Sequence, residues 1–232
     1  MRFALIGHPV AGSLSPLLFH AAYGGRHSYG LVDGENFEKA WAKGLEFDGF
    51  NVTAPYKMDA AKAVNILHRG AEKTGAVNTV VRKEGVLHGY NTDIDGVIGA
   101  LAEAGAEKAD SALVIGSGGA AKAAEAALRS MGLSPLLSSR RSGIPLGELS
   151  NLPPFDIVVY TLPASAPVPE IDLRHSTLLE AEYRAPQLRD RECGKYISGR
   201  RWLLHQAVSA YRIFTGEAPD ENAMETALAD LH

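Results

Sequence analysis

The stretch ALVIGSGGAAKAAEAAL, residues 112–128, decides the fold class of this chain. The apolar run Ser111–Ile115 predicts a short buried strand, and the alanine-rich run Ala120–Met131 predicts a helix. The loop between them fits G-x-G-x-x-A, a pattern whose glycines let the backbone approach a pyrophosphate at a helix N-terminus. We therefore predict a dinucleotide-binding unit. The alternative is a glycine-rich turn of an α/β protein that binds no nucleotide.

Strands and helices continue to alternate after this loop. The predicted strands are Pro135–Ser138, Phe155–Tyr160 and Thr177–Glu182, the last being the weakest because it contains two glutamates. Gly199–Phe214 and Asn222–Leu231 are the predicted C-terminal helices. Such alternation indicates parallel βαβ units.

The end of the second strand bears on the choice of nucleotide. An NAD site usually places an acidic residue there to hold the ribose 2′-hydroxyl. This chain has no acid in Leu137–Ser142 and instead carries Ser139, Arg140 and Arg141. Guanidinium groups make charge-assisted hydrogen bonds to phosphate oxygens, so the segment favours NADP. A solvated arginine pair on a surface loop is the alternative.

The N-terminal part is also predicted to mix helices and strands, with Ser15 as the N-cap of its first helix. We place domain boundaries near Thr92–Val97 and near Gly199, where the pattern changes. The predicted strands are Arg2–Ile6, Phe50–Thr53, Val77–Arg82 and Val86–Tyr90, the last two joined as a hairpin by Lys83–Gly85; the predicted helices are Pro16–Tyr23, Glu35–Leu45, Met58–Leu67 and Asp95–Ala104.

Polar residues follow or interrupt the apolar runs of this N-terminal part. They occur in Ser13–Pro16, Asn51–Lys57, Ala76–Thr79 and Asn91–Asp93. Ligands of open α/β sheets bind outside the carboxyl ends of the strands, so these groups are expected to converge on one cleft. Hydroxyls, amides, one lysine and one aspartate suit a small polyhydroxylated substrate and offer no metal-ligand spacing. Taken singly, each could serve only a cap, a turn or a solvated surface.

Composition narrows the class of partner. The net charge of -4 and the pI near 6.1 argue against a nucleic-acid or anionic-membrane surface. Cys193 is the single cysteine, so no intrachain disulfide can form. The sequence has no signal-peptide core and no apolar run of membrane-spanning length. We expect a cytoplasmic protein.

The motifs together resemble the shikimate dehydrogenase family over nearly the whole chain. The resemblance rests on Ser13-x-Ser15-Pro16, Asn51-Val52-Thr53-x-Pro55-x-Lys57, Gly75–Thr79, Asn91-Thr92-Asp93, the glycine loop and a late Gln206. It implies a two-domain α/β fold. Residues 1–93, completed by helices in 200–232, would form the substrate domain, and residues 94–199 a Rossmann-type doubly wound NADP domain.

The resemblance also implies a role for each matching residue. Lys57 and Asp93 would be the catalytic pair in the reversible, NADP-dependent reduction of 3-dehydroshikimate to shikimate, a step of aromatic amino-acid precursor biosynthesis. Ser13 and Ser15 would hold the substrate carboxylate, and Tyr183 would close over the substrate. Asn51, Thr53, Asn78 and Gln206 would bind the ring hydroxyls or the carboxylate. The cofactor-binding residues would be Gly116, Ser117, Gly118, Gly119, Ala120, Ser139, Arg140, Arg141, Thr161 and Gly199; no metal is implied.

The chain departs from the family pattern in three places. It is short, and the compressed region Gly24–Asp48 is expected to lose a strand or part of a helix. Val159–Pro163 stands where relatives carry an Asn-Ala-Thr type sequence, and Glu180–Tyr183 stands where they carry Asp-x-x-Tyr. The last two departures concern the nicotinamide side and leave Lys57 and Asp93 intact.

Three hypotheses stay open from the sequence. The first is an NADP-dependent shikimate dehydrogenase, which the Ser13-x-Ser15 pair and the Arg140-Arg141 segment favour. The second is a quinate/shikimate dehydrogenase that uses NAD, and the third is a non-catalytic NADP-binding regulatory protein. A homodimer is the assembly left open.

Overall fold

The computed structural model describes residues 1–230, and these divide into two compact units. The first unit comprises Met1–Thr92 and the residues from Gln206 onward, and the second comprises Asp93–His205. The boundaries expected from the sequence lay after residues 93 and 199. The second observed boundary falls inside one continuous helix, Gly199–Thr215, which contributes to both units.

The first unit is built on a six-stranded mixed sheet. Its strands run in the order β2-β1-β3-β5-β6-β4; β1 is parallel to β2 and β3, whereas β5 is antiparallel to β3 and β6. The strands are β1 Arg2–Gly7, β2 Ser28–Asp33, β3 Gly49–Val52, β4 Ile66–Leu67, β5 Thr79–Lys83 and β6 Val86–Tyr90; the helices of its N-terminal part are α1 Ser15–Tyr23, α2 Phe37–Gly44, α3 Lys57–Ala63 and α4 Arg69–Thr74.

The second unit is a five-stranded, all-parallel sheet in the order β11-β10-β9-β7-β8. This is the predicted Rossmann-type arrangement. Its strands are β7 Ala112–Ile115, β8 Leu136–Ser138, β9 Ile157–Tyr160, β10 Thr177–Glu180 and β11 Lys195–Ser198; its helices are α5 Asp93–Glu103 and α6 Gly119–Ser130, with 3₁₀ turns at Ala106–Lys108 and Leu146–Asn151. The long helix Gly199–Thr215 is α7, and Glu221–Ala229 is α8.

The five parallel strands end level with one another. Their last residues pair in register across the sheet: Ser198, Glu180, Tyr160, Ile115 and Ser138. The residues that directly follow therefore form one line along the carboxyl edge, which we call the carboxyl-end row: Gly199, Ala181, Thr161, Gly116 and Ser139. Ligands of open α/β sheets bind at this edge.

Helices α5 and α7 approach closely within the second unit. A Cβ added to Gly96 would collide with Trp202, and one added to Gly99 would collide with the ring of His205. The carboxylate of Glu103 accepts two hydrogen bonds from the Arg201 guanidinium and lies 3.0 Å from Nε2 of His205. The hydrogen bond from Arg201 is the main reason that the pKa of Glu103 is lowered.

The C-terminal helices complete the core of the first unit. The Phe214 ring on α7 stacks on Phe3 of β1 with centroids 4.6 Å apart. Gly49 of β3 has no room for a side chain, because an added Cβ would lie 2.9 Å from that same Phe214 ring.

Two predictions about the N-terminal part are wrong. The helix Met58–Leu67 ends at Ala63, because the chain then turns to pair β4 with β6. Ser15 is the first helical residue rather than the N-cap, a position taken by Leu14 without a side-chain bond. The compressed region contains strand β2 and helix α2.

The C-terminal prediction Asn222–Leu231 overlaps α8, and its last residue lies outside the described residues. None of the helices within residues 1–230 combines the length and apolarity that crossing a membrane requires.

Candidate active site

A buried set of amides and hydroxyls lies at the base of the β5–β6 hairpin. Asn78 directly precedes β5, and Thr92 follows β6 by two residues. Oδ1 of Asn78 accepts the backbone N–H of Thr92 at 2.8 Å, and Nδ2 donates to the Thr92 hydroxyl at 3.0 Å. The Thr79 hydroxyl donates to the same Oδ1 at 3.1 Å. We call Asn51, Asn78, Thr79, Thr92 and Gln206 the amide–hydroxyl cluster; all five are buried.

Gln206 reaches this cluster from α7, far along the chain. Its Oε1 accepts from the Thr92 hydroxyl at 3.4 Å and lies 3.5 Å from Nδ2 of Asn78. Asn78 and Gln206, each of which the resemblance implies as a substrate-binding residue, therefore lie within hydrogen-bonding distance of one another in the first unit.

Asn51 joins the cluster from the middle of the sheet. Its Nδ2 donates to the Asn78 carbonyl at 3.0 Å and to the Thr79 hydroxyl at 2.9 Å. Its Oδ1 accepts the Tyr29 hydroxyl at 2.8 Å. Both amide hydrogens are used inside the protein, so a ligand contact by Asn51 would have to be made through Oδ1.

The two predicted carboxylate-binding serines lie in the loop after β1. The Ser13 hydroxyl donates to the Ser15 hydroxyl at 3.2 Å and accepts the Ser15 backbone N–H at 3.2 Å. The Thr53 backbone N–H donates to the carbonyl of Ile6 at 2.9 Å, which places the end of β3 beside the end of β1. Ser13, Ser15 and Thr53 thus follow adjacent parallel strands at one edge of the sheet.

Lys57 and Asp93 each begin a helix next to the cluster. Lys57 is the first residue of α3, and its carbonyl accepts the N–H of Val77, the neighbour of Asn78, at 2.8 Å. The turn before Lys57 contains the cis Ala54–Pro55 bond. Asp93 is buried, begins α5 and follows Thr92 directly in the chain.

The glycine loop follows β7 in the second unit. Gly116 has a φ of 133°, which favours glycine, and an added Cβ would collide with Oγ1 of Thr161. That hydroxyl is held in place because it donates to the Ile115 carbonyl at 2.8 Å. Gly118 is the N-cap of α6 and offers no side-chain cap, so the first N–H groups of the helix remain available to an anion. Gly119 and Ala120 form the first turn of α6.

Three residues of the carboxyl-end row, Gly116, Ser139 and Thr161, line a cavity of about 250 Å³. The cavity combines a glycine-lined floor with two exposed guanidinium-bearing residues, a set that fits the phosphates of a dinucleotide. Its lining comprises Gly116, Ser117, Gly118, Ser139, Arg140, Arg141, Thr161, Leu162 and Pro163.

Ser139 shapes the arginine turn. Its hydroxyl donates to the Ser142 carbonyl at 2.8 Å and accepts the N–H groups of Arg141 and Ser142 at 3.2 and 3.0 Å. Ser139 is buried, whereas Arg140 and Arg141 are exposed. The serine therefore orders the turn that presents the two arginines.

Gly199 and Tyr183 lie toward the other end of the row. Gly199 begins α7, and an added Cβ would collide with the carbonyl of Ala181 and lie 2.7 Å from that of Glu180. Tyr183 is half-buried in the segment after β10. Sequence reasoning missed Tyr29, because β2 lacks alternating apolar residues. It noted Glu180 as a departure from the family pattern and gave it no role, although a glutamate ending an apolar strand was a usable signal.

The comparisons with known proteins agree with this arrangement. A model of the shikimate dehydrogenase substrate binding domain matches residues 5–80, and one of the shikimate 5′-dehydrogenase C-terminal domain matches residues 203–229. The shikimate dehydrogenase (NADP(+)) of Rubrobacter xylanophilus is 36% identical over 267 residues, covering 97% of this chain and 94% of that protein.

Two solved structures bear on the ligands. Shikimate 5-dehydrogenase from Thermus thermophilus, in complex with NADP(H) and shikimate, aligns with a TM-score of 0.85 and 31% identity, covering 99% of this chain and 98% of that one. Quinate dehydrogenase from Corynebacterium glutamicum, in complex with NAD, aligns with a TM-score of 0.85 and 25% identity, covering 100% and 99%.

Proposed function

Because this chain belongs to the shikimate dehydrogenase family, we propose that its amide–hydroxyl cluster, with Lys57 and Asp93 beside it, is the site of the family's reaction. The chain is an NADP-dependent oxidoreductase that interconverts 3-dehydroshikimate and shikimate, a step of the shikimate pathway. The observation that carries the assignment of the site is the position of two residues: the carbonyl of Lys57 accepts the N–H of Val77, the neighbour of Asn78, and Asp93 directly follows Thr92.

The substrate is held by groups at the strand ends of the first unit. Ser13 and Ser15 bind its carboxylate, since their hydroxyls and the nearby helix start offer donors to an anion. Thr53, Asn78 and Gln206 bind the ring hydroxyls or the carboxylate. Asn51 holds the Asn78 backbone carbonyl and the Thr79 hydroxyl with its Nδ2. It contacts a ligand only through Oδ1. Tyr183 closes over the substrate.

Lys57 and Asp93 handle the proton at the reacting oxygen. In oxidation the pair removes the proton of the secondary hydroxyl, and in reduction it returns a proton to the oxygen as negative charge develops there. One of the two moves the proton while the other orients it and balances its charge.

The second unit holds the cofactor. When bound, NADP(H) supplies the hydride exchange of the reaction. Gly116, Ser117, Gly118, Gly119 and Ala120 bind its pyrophosphate with backbone N–H groups. Arg140 and Arg141 bind the 2′-phosphate, on a turn that Ser139 orders. Thr161 and Gly199 line the path toward the nicotinamide.

The test is NADPH formation from shikimate and NADP by the purified protein, with Lys57→Ala and Lys62→Ala measured in parallel. Loss of one acid–base group lowers kcat by about 10²- to 10⁴-fold. Lys62 lies on the same helix and forms an exposed ion pair with Asp59, so its loss leaves the rate unchanged. Equal rates in the wild type and Lys57→Ala would refute the assignment of Lys57.

Similarity to the quinate dehydrogenase complex with NAD supports a second candidate, oxidation of quinate with NAD. Arg140 and Arg141 favour NADP, because NAD offers them no 2′-phosphate. A kcat/KM for quinate with NAD above that for shikimate with NADP would decide for the second candidate. NADP binding without turnover of either acid would decide for a regulatory protein.

The cellular setting is a further part of the proposal. We place the protein in the cytoplasm, since Cys193 is its single cysteine and no disulfide is needed. We take the homodimer as the working hypothesis for its assembly. Cell fractionation tests the location, and sedimentation at micromolar concentration separates monomer from dimer.

A further inference from the structure

A fully buried carboxylate lies at the carboxyl edge of the parallel sheet. Glu180, the last residue of β10, is 0% exposed. Its Oε1 accepts the N–H of Gln187 at 2.6 Å, and its Oε2 accepts the N–H of Leu188 at 3.2 Å and the hydroxyl of Tyr196 at 2.8 Å. All three donors are neutral groups, and two of them belong to the backbone of the segment that follows β10.

Burying a carboxylate is costly unless hydrogen bonds compensate for the lost water. Two of the hydrogen bonds that compensate for the burial of Glu180 exist only while Gln187 and Leu188 are folded back onto the end of β10. The bonds therefore close residues 181–188 into a loop whose two ends are both fixed. Burial together with Glu180 also raises the pKa of Tyr196 and Tyr160 above the usual tyrosine range, so both phenols remain protonated donors.

The side chain of Gln187 makes two more hydrogen bonds at the carboxyl edge of the sheet. Its Oε1 accepts the Tyr160 hydroxyl of β9 at 3.1 Å, and its Nε2 donates to the carbonyl of Ala166 at 3.1 Å. The loop that contains Tyr183 is thus tied to β9, to β10 and to the segment after β9.

Glu180 is also the central member of three level strand ends. It pairs with Tyr160 on one side and Ser198 on the other, and the next residues of those strands are Thr161 and Gly199. The carbonyls of Glu180 and Ala181 are the atoms that leave Gly199 no room for a Cβ.

We propose that Glu180 is a positioning residue, which acts through its bonds to Gln187 and Leu188 to hold Tyr183 and Gly199 in place at the reacting end of the site. This inference rests on the proposed function of Tyr183 and Gly199. The glycine loop and the arginine turn lie on β7 and β8, so Glu180 does not govern the adenosine end of the cofactor site.

The test compares Glu180→Gln with two matched variants. In Glu180→Gln the amide oxygen still accepts at Oε1, but the carboxylate charge is lost and an amide NH₂ replaces the second acceptor of Leu188 and Tyr196, so the bonds that hold the loop are fewer and weaker. Tyr196→Phe removes one bond to the same carboxylate and keeps both loop bonds. Asp156→Asn disturbs a carboxylate that also accepts three donors, from Asp110 and Ser111, at the amino edge of the sheet.

We expect Glu180→Gln to lower kcat by about 10- to 100-fold, as for a small misplacement of groups at a reacting centre, and to raise the KM for shikimate. Affinity for adenosine 2′,5′-bisphosphate, a probe of the arginine turn, stays within about twofold. Tyr196→Phe and Asp156→Asn lower the melting temperature and leave both kinetic constants near those of the wild type. Hydrogen exchange at the Gln187 and Leu188 amides speeds up about tenfold in Glu180→Gln alone.

The proposal is overturned if all three variants lose activity in proportion to stability, or if the Gln187 and Leu188 amides of the wild-type protein exchange as fast as an open loop. The second measurement also decides the matter if Glu180→Gln does not fold. A wild-type protein that fails to oxidise shikimate while these amides are protected would refute the proposed function and leave the loop anchor standing.

Discussion

Oδ1 of Asn78 accepts the backbone N–H of Thr92 at 2.8 Å, and this bond fixes the residue that directly precedes Asp93. The bond joins the two ends of the β5–β6 hairpin, so the hairpin determines where α5 begins. The residue before the aspartate is therefore held by a side-chain oxygen of the first unit rather than by the helix that Asp93 starts.

Asn78→Ala is expected to destabilise the protein by about 1–3 kcal/mol, because it leaves the buried Thr92 N–H without an acceptor. It should also lower kcat, because Thr92, the residue before Asp93, loses the hydrogen bond that holds its backbone. Urea unfolding and steady-state kinetics measure the two effects. The control is Asn65→Ala, which removes a comparable but exposed bond to the Leu87 N–H. Equal losses in both variants would contradict the prediction.

Two glycines of the glycine loop are expected to differ in role: Gly116 affects the stability of the fold, and Gly118 affects NADP binding. Gly116→Ala should destabilise the protein by about 1–3 kcal/mol, because φ is 133° and the new Cβ meets Thr161. Gly118→Ala should leave the unfolding free energy within about 1 kcal/mol, since φ is -82° and the space is open. It should still weaken NADP binding, because Gly118 lines the cavity where a pyrophosphate would approach. Titration calorimetry that gives Gly118→Ala the affinity of the wild type would favour a turn that binds no nucleotide.

Arg140→Ala and Arg141→Ala are each expected to raise the KM for NADP by about 10- to 150-fold, the loss of one charge-assisted bond of about 1.5–3 kcal/mol. The KM for NAD should change little, because NAD carries no 2′-phosphate. Arg129→Ala, which breaks an ion pair with Glu125 on α6, serves as the charge-matched control. A parallel rise of both KM values would show that the arginines act on the pyrophosphate or on the fold.

The lowered pKa of Glu103 predicts how the stability of the protein depends on pH. Its pKa in the folded protein is lowered from the ordinary value of 4.5, chiefly by Arg201, so its stabilisation is fully present above pH 4.5 and is lost as the pH falls through the lowered pKa. Glu103→Gln should therefore shift the urea midpoint at pH 7 and have a shrinking effect as the pH drops below 4.5. Glu125→Gln provides the comparison, because it removes another glutamate–arginine pair within α6. A difference for Glu103→Gln that persists undiminished at pH 3 would refute the linkage.

Local patterns were sufficient for most of the second unit. The glycine loop, the strand before it and the helix after it depend on short-range residue preferences, and they lie where the sequence placed them. Strand β11 was missed because Lys195–Ser198 is polar at both ends and forms only by pairing with β10.

Long-range pairing also explains the errors in the first unit. Alanines in the α3 region suggested a helix through Leu67, but the N–H of Asn65 donates to the carbonyl of Leu87 and the chain becomes strand β4. Tyr29 of β2 contacts Asn51 of β3 across the intervening strand β1, a contact that no local pattern in β2 indicates. The motifs identified the polar residues of the site. The hydrogen bonds between those residues depend on the register of the sheet, which the motifs do not indicate.

The division of α7 between the two units has a consequence for synthesis on the ribosome. Strands β1 to β6 emerge first, yet Phe3 and Gly49 receive their packing partner Phe214 only when the end of the chain has been translated. The second unit is a continuous segment and can finish folding before the sheet of the first unit receives Phe214. The nascent chain therefore leaves the Phe3 and Gly49 part of its first-made sheet uncovered by Phe214 until α7 has been made, and a premature stop before α7 leaves a chain that chaperones and proteases recognise.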